Sequence, residues 1–209
     1  MEKPLEAKVI VIDDDDDVRD SIQLLIESVG LNVETFSSAK DFLTDFNPKQ
    51  TGCLIVDVRM PIISGLELQR KLNQQSIHPP IIIMSGHGDV PMAVRAMKEG
   101  AFEFLEKPFN PQSLLETVNQ AILKDEEQRF SLKLKQQIRE CYQSLTEKEK
   151  QVFKLICNGV LNKQIASQLN ISQSTVEARR SKVMEKMQAE NLSGLIRFYL
   201  ELDLDELQK

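Results

Sequence analysis

Asp13 and Asp14 follow a four-residue apolar run, Val9–Ile12, and Asp57 follows another, Cys53–Val56. Short β-branched runs of this kind suit buried parallel strands. In an open α/β sheet, ligands gather outside the carboxyl ends of the strands, near the point where strand order reverses. If these two strands are neighbours, three carboxylates from distant positions converge on one spot. Such a cluster repels itself unless a divalent cation joins it, and Mg²⁺, held by a few carboxylates and waters, is the natural occupant. Two further strand ends supply polar groups: Ser85 after Ile81–Met84, and Lys107, before Pro108, after Phe104–Glu106. A carboxylate near Mg²⁺, a lysine and a hydroxyl make a place where a phosphoryl group can be accepted and its charge neutralised. The bland reading has weight at several positions. A lone Asp at a strand end is usually a turn residue, and an acidic run at a helix start favours the helix dipole. That suffices for Asp15, Asp16 and Asp17, which are not counted as ligands, and His87 reads as a rim residue.

The elements that must hold these groups are legible in the first 123 residues. Five short runs (the four above and Val33–Phe36) alternate with helical stretches. Val18–Val29 places Ile22, Leu25, Ile26 and Val29 on one stripe, with Gly30 as a stop. Asp89 is placed to cap Val90–Glu99, and Asn110–Pro111 opens a helix through Leu123. Five β-α units in about 120 residues predict one doubly wound α/β domain.

Residues 124–140 hold no Gly or Pro and read as a charged, helical linker. From Cys141 onward the strand signal is gone, which makes 141–209 an all-α domain. Thr146 and Glu149 form a capping box that opens a helix to about Asn158, and Gly159 ends it. Helices then follow at Asn162–Gln168, from about Ser172–Ser174 to Met187, and from about Ser193 to Leu200. Four short helices with a tight turn at Asn170 suggest a helix-turn-helix. Val152, Leu155, Ile156, Ile165, Ala166, Leu169, Ile171, Val176, Val183 and Met187 should form its core.

The chain has 209 residues and a net charge of −6, with 41% apolar and 28% charged residues. That composition excludes a disordered chain, and the length allows two small domains. Residues 1–123 hold 11 Lys/Arg against 19 Asp/Glu, whereas 141–200 hold 9 against 5. This asymmetry suggests modules with different partners. No apolar run is long enough to span a bilayer, and the Asp-rich start is unlike a signal peptide. Cys53, Cys141 and Cys157 form no CxxC pair, which argues against a disulfide framework or zinc site. The expected location is the cytoplasm.

VIDDDDDVR, IVDVRMPIISG, MSGHGDVPMAV and GAFEFLEKPF together resemble the receiver domain of two-component response regulators, in its FixJ-type branch. The resemblance implies a CheY-like (βα)5 fold with Asp57 as phosphoacceptor. It implies that Asp14 binds Mg²⁺ directly and Asp13 through water, with the backbone carbonyl of Arg59 a further ligand. Ser85 and Phe104 look like the switch pair, and Lys107 like the phosphate-pairing lysine before a cis proline. LTEKE, NKQIASQLNIS and TVE resemble the LuxR/NarL-type helix-turn-helix. Cys141–Met187 looks particularly like regulators of tetrathionate or related sulfur-oxyanion respiration.

The resemblance implies a transcription regulator whose partners are a histidine kinase and promoter DNA, with RNA polymerase a further candidate. It is no enzyme beyond its own phosphoryl transfer and slow autodephosphorylation. A haloacid-dehalogenase-type phosphatase is the rival reading, but its second Asp is replaced here by Arg59. Base readout is expected from Glu177, Ala178 and Ser181. Phosphate contacts are expected from Lys163, Arg180 and Lys182, with Arg179 standing where the family has His. Ser174 and Thr175, at the same helix start, are also expected to contact DNA. Glu177 is as well suited to a pair with Arg180 along the helix as to a base contact. Val90, Val94, Arg95 and Met97 are the expected contact of a phosphorylated homodimer; the alternative is that the apolar three pack on the sheet.

Overall fold

The computed structural model describes residues 7–74, 79–86 and 90–202. His87 and Asp89 lie outside them. The chain divides into two compact units, Met1–Gln128 and Arg129–Lys209.

In the first unit, β1 (Lys8–Ile12), β2 (Asn32–Phe36), β3 (Gly52–Asp57), β4 (Ile81–Ser85) and β5 (Glu103–Glu106) form one parallel sheet in the order β2-β1-β3-β4-β5. The central strands are buried on both faces because both are covered. Even-numbered side chains of β1 and β3, such as Ile10, Ile12, Leu54 and Val56, pack with Phe42, Leu68 and Leu72 of α2 (Ala39–Asp45) and α3 (Gly65–Gln74). Odd-numbered ones, such as Val9, Val11 and Ile55, pack with Ile22 and Ile26 of α1 (Asp16–Glu27) and Leu114 and Val118 of α5 (Pro111–Gln143). Alternation of side chains along a strand feeds both cores from one run of apolar residues. The fourth helix, α4 (Val90–Lys98), lies between β4 and β5. Strand order reverses at β1, between β2 and β3, so the switch point falls where Asp13 and Asp57 emerge.

The first helix ends earlier than its apolar stripe suggests. Helix α1 ends at Glu27 with Ser28 as its C-cap, so Val29 lies beyond the helix and is 50% exposed. Helix α5 is one 33-residue helix that includes all of 124–140. Asp125 is buried in the first unit, while Ile138 and Tyr142 belong to the core of the second.

The second unit adds α6 (Glu147–Cys157), α7 (Asn162–Gln168), α8 (Gln173–Lys186) and α9 (Leu192–Glu201). The capping box is present: Glu149 N–H donates to Thr146 Oγ1, and Thr146 N–H to Glu149 Oε2 at 2.8 Å. Gly159 has the positive φ, +77°, that ends α6 after its C-cap Asn158. Asn170, φ +50°, turns the chain between α7 and α8, a conformation Asn tolerates. All ten apolar positions expected in this core belong to it or pack against it.

Candidate functional site: a carboxylate–lysine cluster and an exposed helix

Asp13 and Asp57 are almost fully buried at the ends of neighbouring strands. Lys107, one residue past β5, reaches both: its Nζ lies 2.6 Å from Asp13 Oδ2 and 2.6 Å from Asp57 Oδ1. Asp57 Oδ2 accepts from the Arg59 N–H at 2.6 Å, and Asp13 Oδ1 from the Asp15 N–H at 3.0 Å. The carboxylates are thus oriented from both sides. The Lys107–Pro108 peptide is cis.

The electrostatics are unbalanced. Burial pushes the Asp13 carboxyl above the usual range, although Lys107 and the Asp15 N–H pull it down; the Asp57 charge adds to the rise. Burial also opposes the Lys107 charge, but Asp13 and Asp57 win and raise its pKa. Lys107 is thereby held in its charged form between the two carboxylates. Hard carboxylate oxygens are the donors Mg²⁺ prefers. Asp14 stands apart from the other two on the exposed rim. Among the described residues no three His, Cys, Asp or Glu side chains converge as a ready metal site. Asp15 is the N-cap of α1, accepting from Asp17 and Val18 N–H, and Asp16 pairs with Arg19. Those acidic residues serve the helix start.

Ser85 is buried at the end of β4. Phe104 is half-buried against the core and pairs in register with Ile83. Two site features carry no local sequence signal. A Cβ on Gly65 would lie 2.3 Å from the Asp57 carbonyl oxygen, so only glycine lets α3 start this close to the end of β3. Arg19 donates to the Asp13 carbonyl at 2.7 Å, bracing that strand end.

On α4, Val90 is 76% exposed, and Val94, Met97 and Arg95 are exposed beside it; Ala96 is the buried residue. None of the three apolar candidates is buried in the sheet packing. Arg95 pairs with Glu99 at 3.1 Å.

In the second unit, α8 turns Val176 and Val183 inward and leaves Ser174, Glu177, Ala178, Ser181 and Lys182 exposed. Ser172 caps the helix by accepting from Thr175 N–H, and its hydroxyl lies within 2.9 Å of those of Ser174 and Thr175. Arg179 and Arg180 are half-buried. The Arg180 guanidinium reaches Asn162 Oδ1 on α7 at 3.4 Å, not Glu177. Lys163 is exposed on α7.

Residues 9–119 match the response regulator receiver domain family, and residues 143–199 match the bacterial regulatory proteins of the luxR family. The response regulator protein TodT of Pseudomonas putida is 44% identical over 90% of this chain and 83% of its own length. The transcriptional regulatory protein FixJ of Azorhizobium caulinodans is 45% identical over 94% and 93%. The solved structure of the response regulator StyR superimposes with a TM-score of 0.86, at 42% identity, over 94% of this chain and all of that one. Among the described residues no helix is long and apolar enough to cross a membrane. With a CheY-like receiver carrying the carboxylate–lysine cluster and a luxR-type module exposing one face of α8, the chain belongs to the FixJ-like two-component response regulators, which are DNA-binding transcription regulators.

Proposed function

We propose that a histidine kinase phosphorylates Asp57, and that the phosphorylated receiver dimerises and enables α8 to bind promoter DNA. The observation that carries this reading is the shared lysine. Asp57 ends a central strand with one carboxylate oxygen on Lys107 at 2.6 Å and the other on a backbone N–H at 2.6 Å. A phosphoryl group adds about two negative charges and three acceptor oxygens. Lys107 is the cation in place to pair with them. Asp13, Asp14, Asp57 and the Arg59 carbonyl would hold Mg²⁺, which would supply further neutralisation of phosphoryl charge. Ser85 at the end of β4 and Phe104 on the adjacent strand β5 transmit the change by turning toward the phosphoryl group and packing inward.

The exposed Val90, Val94, Arg95 and Met97 form part of the homodimer contact. On DNA, Glu177, Ala178 and Ser181 face bases, while Lys163, Arg179, Arg180 and Lys182 meet phosphates. Ser174 and Thr175 hold the entry turn. RNA polymerase is a further partner on the promoter. The protein works in the cytoplasm, and its only chemistry is phosphoryl transfer to itself and slow loss of that group.

Acetyl phosphate with Mg²⁺ tests the acceptor. One phosphoryl group is expected, on Asp57 by mass spectrometry and absent in Asp57→Asn. A label on Ser85 or elsewhere in the wild-type protein overturns the assignment.

A further inference from the structure

Between β3 and α3 the chain reads Val58-Arg59-Met60-Pro61-Ile62-Ile63-Ser64. Met60 is buried and Ile63 packs against the same core, whereas Ile62 between them is 86% exposed. No other large apolar side chain among the described residues is as exposed. Its backbone is unusual as well. Ile62 has φ +69°, and Ile63 N–H donates to the Pro61 carbonyl at 2.7 Å, closing a three-residue γ-turn around it. A positive φ is rare for a β-branched residue, and γ-turns of this hand are strained.

Such strain persists only where the surroundings over-determine the backbone. Here they do. Val58 N–H donates to Met84 O at 2.8 Å, Gly65 N–H to Val58 O at 3.1 Å, and Leu68 N–H to Ser64 O at 2.9 Å. Gly or Asn would hold the same turn at lower cost. Folding gains nothing from this isoleucine, which buries little surface and strains its turn. The residue is explained by something outside the chain.

We propose that Ile62 is a specificity-determining contact for the protein that donates the phosphoryl group, seated in an apolar pocket beside the donor's phosphohistidine. This rests on Asp57 being the phosphoacceptor. In the transfer the donor's N–P bond breaks, an Oδ–P bond forms on Asp57, and the departing imidazole nitrogen takes a proton from solvent. Asp57 is only 7% exposed, so a protein donor must bring its reacting group in past the rim. The loop carrying Ile62 leaves directly from Asp57 and is anchored beside it through Val58 and Gly65, so a donor surface approaching Asp57 meets it. The exposed Asp14, Asp15, Asp16 and Asp17 on the β1 side oppose an anionic phosphoryl group. A rigid apolar contact adds affinity without charge, and its fixed backbone loses little entropy on docking.

The test compares two donors on the full chain. One is the autophosphorylated histidine kinase of the chain's own genome that transfers fastest to the wild-type protein. The other is acetyl phosphate, which has no protein surface. Ile62→Gly and Ile62→Asn should each lower the kinase rate by about 10-fold. Both should label from acetyl phosphate at the wild-type rate, and Ile62→Leu should keep the kinase rate within about 2-fold. Relief of strain should raise the Tm of Ile62→Gly by about 2–4 °C. Equal kinase rates across the series overturn the proposal, as does a parallel fall with acetyl phosphate, which would make Ile62 structural. A loss confined to dimerisation would assign the residue to a second copy of this chain and also overturn it. If acetyl phosphate fails to label Asp57 in the wild-type protein, the phosphoacceptor reading itself falls.

Discussion

Glu149 shows how much one side chain can carry. It closes the capping box of α6 and also accepts from Lys186 Nζ at 2.6 Å, joining the start of α6 to the end of α8. The Lys186 hydrogen bond, followed by that of the Thr146 backbone, lowers its pKa from 4.5 to about 2. A carboxylate with a depressed folded-state pKa stabilises above its unfolded value and loses that contribution as pH falls through its folded one. The second unit should therefore lose this contribution between pH 4.5 and about 2. Glu149→Gln should cost about 1–3 kcal/mol at pH 7 and flatten the fall in stability below pH 4.5. Urea unfolding of both proteins at pH 7 and pH 3, followed by helical circular dichroism, reads the difference. Parallel losses on acidification would mean that other carboxylates set the slope. Gly65 is another single-residue constraint: it is demanded by the nearness of the Asp57 carbonyl, not by its φ.

Among the elements, α5 does more than close the receiver fold. Its buried Asp125 accepts from the Gly52 N–H at 2.9 Å, at the start of β3, the strand that ends in Asp57. Gly52 has φ +126°, and a Cβ there would collide with the Lys8 carbonyl oxygen at 1.9 Å. The strand opening is thus defined by a glycine backbone and a carboxylate from a helix 73 positions away. Asp125→Ala should leave that N–H buried without this partner and cost about 1–3 kcal/mol. Hydrogen exchange should show faster exchange at the amides of β3 than at those of α8. Unchanged protection at Gly52 and its neighbours would show that β3 opens independently of Asp125. The thiol of Cys53 beside it, pushed up to about 12 chiefly by burial and then by Asp125, is inert.

At the scale of the whole molecule, an acidic receiver is joined to a mildly basic reader of DNA, so contacts to phosphate and to bases must be separated by experiment. Phosphate contacts set register without reading sequence, whereas base contacts specify. Lys163→Ala should weaken binding to an operator and a scrambled duplex alike and lower the salt slope by about one unit. Glu177→Ala should relax preference at one base pair, worth about 1–3 kcal/mol, and raise nonspecific affinity by removing a negative charge. With Arg180 held by Asn162, the Glu177–Arg180 pair is disfavoured and Glu177 is presented outward. Fluorescence anisotropy over a salt series distinguishes the two classes. Equal weakening of both duplexes by Glu177→Ala would make that residue structural.

Strands and helices were readable in advance because their signals are local. Apolar β-branched runs mark β1, β3 and β4, while Thr146 with Glu149, and Gly159, mark the ends of α6 within a few residues of the backbone groups they satisfy. The order of the polar residues at strand ends was readable for the same reason, since Asp13, Asp57 and Ser85 each sit one step past an apolar run. Partnership was not readable. Lys107 and Asp13 are 94 positions apart, and only the closed sheet makes one ammonium serve both Asp13 and Asp57. Two adjacent aspartates of equal chemistry part ways because Asp13 is enclosed at the strand end while Asp14 stays in solvent. The apolar residues of α4 were equally ambiguous, because helical spacing does not say which stripe meets the sheet. Packing selected Ala96 and left Val90, Val94 and Met97 exposed. Gly65, Asp125 and Ile62 were silent in the sequence, since each is defined by distance of approach, long-range pairing or backbone strain, and those quantities exist only once the chain has folded.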